Sequence, residues 1–104
     1  MDAADTAKVF AALGHEGRIV VFQLLAAAGP TGLAAGEIAR RTGYLQNTMS
    51  SLLAVLAHAG LVSARREGRS IIYAAHPDRL AATLGALTID ALDQVSAPAT
   101  AARA

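Results

Sequence analysis

Asn47, Ser50 and Ser51 stand three and one positions apart, with Gln46 alongside, inside the stretch GYLQNTMSSLL at residues 43–53. A carboxamide both donates and accepts, which matches the major-groove edge of adenine, and a serine hydroxyl can serve a base or a phosphate. The chemistry on offer is hydrogen-bonded recognition by neutral groups. Charge comes from arginines on either side, Arg40 and Arg41 before the stretch and Arg65, Arg66 and Arg69 after it. Guanidinium groups so placed would bind phosphates and release their counterions. These five arginines face only Glu37 and Glu67 within residues 33–75, a net charge of +3, whereas the segments before and after are each −1. The overall +1 therefore conceals a basic middle between acidic ends, the pattern of a central anion-binding surface.

Other chemistries find little in this sequence. The 104 residues include no cysteine, which removes disulfides, thiolate metal sites and thiol redox sensing together. No nucleophile is spaced with a base, and neither a glycine-rich phosphate loop nor a ligand cluster can be recognised, so no enzyme, cofactor or metal site is expected. His15 and His76 fall at helix starts and His58 on an exposed helix side, so nothing brings the three to one zinc ion. Asp90 and Asp93 lack a nitrogen ligand beside them and read as a solvated or salt-bridged face. Tyr73, next to Ile71 and Ile72, reads as packing. Arg18 reads as a helix-surface ion pair, for instance with Glu16, or as a DNA or subunit contact.

Elements of three kinds must position these groups. Asp2 or Asp5 can cap a first helix with Val9, Phe10 and Leu13 on one side, ending at Gly14. A second helix from about Glu16 to Ala28 sets Ile19, Phe22 and Ala26 on one stripe, with Val20, Leu24 and Ala27 beside it, before Gly29-Pro30 stops it. AAGEIARRTG then gives a short helix with Ile38 and Ala39 inward and Arg40 and Arg41 outward. Over residues 46–59, Met49, Leu53 and Leu56 form a core stripe flanked by Leu52, while Asn47, Ser50, Ser51 and Ala54 share the opposite face.

Beyond Gly60 the period changes. LVSARREGRSIIYAA reads as a two-stranded hairpin with its turn at Glu67-Gly68, and Pro77 opens a last helix with Asp78 in its first turn. That helix carries Leu80, Leu84, Leu87 and Ala91, with Ile89 and Leu92 nearby, more apolar positions than one small domain needs. The surplus is expected to join two copies of the chain. The expected fold is mainly α with a small β-hairpin wing: four helices, two strands and a fifth helix. It forms a winged helix-turn-helix over residues 1–95, followed by a flexible tail over 96–104. A content of 54% hydrophobic and 16% charged residues is too apolar for a disordered chain. No apolar stretch approaches the roughly 20 residues that span a bilayer, and MDAADTAK lacks the basic start of a secretory leader, so a cytoplasmic protein is expected.

ALGHEGRIVVFQLL at residues 12–25, then GEIARRTGYLQNTMSSLLAVLAHAGLVSARREGRSIIYAA at 36–75, resemble the ArsR/SmtB family of bacterial winged-helix repressors. The AGLV of residues 59–62 and the RREGR of residues 65–69 are the most specific part of the match. The resemblance implies a homodimeric repressor bound to double-stranded operator DNA, with subunits joined through their last helices and through Val9 and Phe10 of their first. It differs where the family often has serine (Leu45 and Asn47) and histidine (Leu52). The stretch that carries inducer-binding cysteines in many members is here Leu33, Ala34, Ala35 and Gly36, which leaves a small organic ligand in the dimer seam, another protein, or no inducer at all. A second reading keeps the fold but makes it a protein-interaction module without useful DNA affinity, a reading fed by the uncharged helix.

Overall fold

Asp2 begins the first helix. Its Oδ1 accepts the amide N–H of Ala4 at 2.8 Å, and α1 runs Ala3–Leu13 in a computed structural model that describes residues 2–96. The tail expected from residue 96 onward lies, beyond the helix end at Ser96, outside the described residues. His15 starts the second helix, α2 (Glu16–Ala28), by accepting the Gly17 amide on Nδ1 at 3.0 Å, a histidine doing what serine or aspartate usually does. Helix α3 (Ala35–Thr42) ends at Gly43 in the left-handed conformation, and a three-residue turn leads into α4 (Gln46–His58). The pair forms a helix-turn-helix.

The core is small and aliphatic. Val9 and Ala12 from α1, Val21, Phe22 and Leu25 from α2, Ile38 from α3 and Met49, Leu52, Leu53 and Leu56 from α4 are buried together, closed by Ala59, Leu61 and Val62. The face assigned to α4 is the face it buries. Two expectations need correcting. Val9, placed at the subunit seam by the family resemblance, is 1% exposed and belongs to the domain's own core, because α1 turns it toward α2 and α4; Phe10 beside it stays outside. In α2 the buried stripe is Gly17, Val21, Phe22 and Leu25, whereas Ile19 and Val20 are exposed.

The sheet holds one strand more than expected. Strand β1 (Leu33–Ala34) pairs antiparallel with β3 (Ser70–Ala75), which pairs antiparallel with β2 (Val62–Glu67), giving the order β1-β3-β2. Gly32 permits that approach: at φ +71° it avoids a Cβ that would sit 2.3 Å from the Tyr73 carbonyl oxygen. Because Glu67 pairs with Ser70, the two-residue turn is Gly68-Arg69, one position later than its expected place. Gly68, at φ +62°, supplies the positive φ that the first turn residue of a tight hairpin requires. Helix α5 (Pro77–Ser96) leaves the sheet through His76, whose amide donates to the Leu61 carbonyl at 2.8 Å. It packs on α1, with Leu80 against the core and Thr83 fully buried, Oγ1 donating to the Arg79 carbonyl. From Leu87 to Val95 every residue is exposed.

Candidate nucleic-acid interface

Helix α4 presents Gln46, Asn47, Ser50, Ser51 and Ala54 to solvent while Met49, Leu52, Leu53 and Leu56 hold its other side in the core. The structure thus places four of the expected reading residues on one open face, borne on a helix fixed by buried leucines. A rigid support matters here because base-edge contacts depend on angle as well as distance. The start of this helix is bare. Leu45 occupies the capping position with no side-chain hydrogen bond, and its own side chain is 78% exposed. The first-turn amides are therefore left for solvent or a ligand.

The arginines divide into two groups. Arg40 and Arg41 both converge on Glu37 one turn back: Arg40 donates Nε to Oε1 at 3.0 Å and also Nη2 to Oε2, while Arg41 donates Nε to Oε2 at 2.6 Å. The Arg40 and Arg41 hydrogen bonds hold the Glu37 carboxyl at a pKa of about 2 and raise Arg40 above its ordinary value. The Arg40 side chain stays 70% exposed, so the pair faces solvent with half its charge offset. Arg65, expected to reach DNA, stays exposed but is engaged within the chain. Its Nη2 donates to the Thr31 carbonyl at 2.7 Å, Nη1 to Pro30 at 3.4 Å and Nε to Glu67 Oε2 at 2.7 Å. Strand alternation explains this: Ser63, Arg65 and Glu67 share the face toward the loop after α2, and Arg66 takes the other face. Arg65 straps the wing to that loop.

Arg66 and Arg69 are exposed and form no ion pair among the described residues. Arg69, in the hairpin turn, borders a hollow of about 280 Å³ with Ala34, Ala35 and Gly36, so the wing lies beside the start of α3. Two structural roles had little sequence signal. Arg18 donates Nε to the Ala12 carbonyl at 2.5 Å and Nη2 to Ala11 at 3.4 Å, satisfying the open end of α1 in place of the expected ion pair with Glu16. His76 shares a 2.8 Å hydrogen bond between Nε2 and Ser63 Oγ. No three of the His, Asp and Glu side chains gather as a metal site would need among the described residues. No single helix there is long and apolar enough to cross a membrane.

Comparison with known proteins adds a family. Residues 13–64 match the model of a helix-turn-helix domain. No curated protein matches the chain by sequence. Among solved structures, an ArsR-like transcriptional regulator from Rhodococcus sp. RHA1 is similar at 30% identity and a TM-score of 0.77, over 86% of this chain and 82% of that one. The homodimeric winged helix-turn-helix DNA-binding domain of a possible ArsR-family regulator from Mycobacterium bovis, solved by solution NMR, shares 32% identity. That similarity covers 85% of this chain and 79% of the other, with a TM-score of 0.68. The transcriptional repressor BigR from Xylella fastidiosa shares 28% identity over 82% and 84% of the two chains, with a TM-score of 0.66.

Proposed function

Since the chain belongs to the ArsR-like family of winged helix-turn-helix transcriptional regulators, we propose that it acts as a homodimeric repressor on an inverted-repeat operator. The observation that carries this is the open polar face of α4, together with two exposed wing arginines that have no ion-pair partner among the described residues. Gln46, Asn47, Ser50 and Ser51 would address base edges, with Arg66 and Arg69 on a neighbouring stretch of backbone. Arg40 and Arg41 would join them by exchanging Glu37 for phosphate. Arg65 would keep the wing in place. Residues 1–95 form the binding and dimerising unit in this proposal, acting on the chromosome in the cytoplasm without a metal inducer. Homodimers fit the exposed leucines of α5 and the homodimeric state of the Mycobacterium bovis domain.

The test is fluorescence anisotropy with the chain's own upstream promoter DNA at a series of salt concentrations. Replacing Arg66 and Arg69 together by alanine should weaken binding to all sequences and lower the salt slope by about two, since each phosphate contact contributes about one. Unchanged binding would remove the wing from the interface. The internal pairing of Arg40, Arg41 and Arg65 favours a second reading, an interaction module without useful DNA affinity. Absence of any complex at low salt would establish it in place of the first.

A further inference from the structure

Leu45 is the most exposed leucine among the described residues, at 78%, and it stands at the head of the helix proposed to read DNA. Single exposed aliphatic side chains are ordinary on protein surfaces. This one is set apart by its position. A serine, threonine or aspartate there would cap the first-turn amides, and leucine forgoes that stabilisation. The backbone is nevertheless well formed: Leu45 has the extended geometry of a cap, φ −67° and ψ 152°, and its carbonyl accepts the Met49 amide at 2.9 Å. Tyr44 packs against the core on one side and Gln46 and Asn47 are open on the other, so an apolar group is held beside the reading residues on a firm backbone.

The leading residues of a recognition helix are those that meet base edges. In the major groove the thymine C5 methyl is the apolar group on display, and an aliphatic side chain is its natural contact. We infer that Leu45 packs against a thymine methyl group and makes thymine a specificity determinant at one position of each half-site. The inference rests on the DNA-binding reading above. A methyl group removed from water supports a discrimination of about fourfold per half-site.

The test uses the full chain and duplexes selected by it from a randomised library at low salt. Each thymine in the selected site is replaced in turn by uracil, which keeps the base pair and the O4 acceptor but lacks the methyl. Binding by the native protein should weaken about fourfold on replacement at one thymine of either half-site, the two being related by symmetry, and nowhere else. Leu45→Ser and Leu45→Ala, checked for native circular dichroism, should bind the thymine and uracil duplexes equally. If selection succeeds and no thymine is sensitive, or the sensitivity survives in both variants, the Leu45 assignment is overturned while DNA binding stands. If no duplex is enriched, the DNA-binding reading fails and the assignment fails with it.

Discussion

At the scale of single residues, the interface is governed by which arginines are already engaged. Glu37 accepts from Arg40 and Arg41 together, and its depressed pKa of about 2 means this clamp is fully present above the ordinary carboxylate value of 4.5. It is lost only as the pH falls through about 2, so pH changes around neutrality leave it intact. Charge removal is the informative perturbation. Glu37→Gln should release both guanidinium groups, tighten DNA binding at low salt and steepen the salt slope by about one for each arginine recruited. Anisotropy at several salt concentrations reads both effects, and an unchanged slope would keep Arg40 and Arg41 off the backbone. The spacing for this clamp is present in the sequence, where Glu37 precedes Arg40 and Arg41 by three and four positions on one helix, although the two arginines were expected there as phosphate contacts only. The Arg65 strap was not, because its carbonyl partners lie 34 and 35 residues away and carry no pattern of their own.

Among the elements, α4 was the plainest to read, because its apolar and polar positions separate cleanly at a period of 3.6. Helix α2, EGRIVVFQLLAAA, is apolar nearly all round, so periodicity could not choose between Ile19 with Val20, which are exposed, and Val21 with Leu25, which are buried. Strand β1 is two residues long and too short to show alternation; what marks it is Gly32, whose purpose appears only when β3 is alongside. Gly32→Ala should therefore force β1 away from Tyr73 and destabilise the domain by about 2 kcal/mol, read from urea denaturation. A change within error would mean that β1 contributes nothing to holding the wing. The wing turn was placed one residue early for a related reason: Glu67-Gly68 and Gly68-Arg69 are both credible pairs in sequence, and only strand register separates them.

For the molecule as a whole, the decisive feature is the apolar face that α5 leaves open, with Leu84, Leu87, Ile89 and Leu92 between 43% and 61% exposed. Phe10 of α1 joins it across a groove of about 370 Å³ that also includes Leu87. The expectation of a partner subunit came from a surplus of leucines; Leu84, Leu87, Ile89 and Leu92 lie outside the core of the single chain, whereas Leu80, counted with them, packs against that core because it sits in the turn of α5 next to the sheet. Leu87→Glu with Leu92→Glu should yield a monomer by sedimentation velocity and weaken operator binding at least about tenfold, since the two half-sites would no longer be held by one body. A dimer that survives both charges would move the interface elsewhere. The distal half of α5 has a further consequence. Exposed at every residue from Leu87 to Val95 and bordered by α1 beside Leu87 and Asp90, this segment gains little stabilisation from its own chain, so its ordering would be strengthened on pairing. Abundance would then set the regulator's shape as well as its occupancy: near the pairing threshold, a modest fall in copy number would disarm it disproportionately, and gene dosage would become a control input.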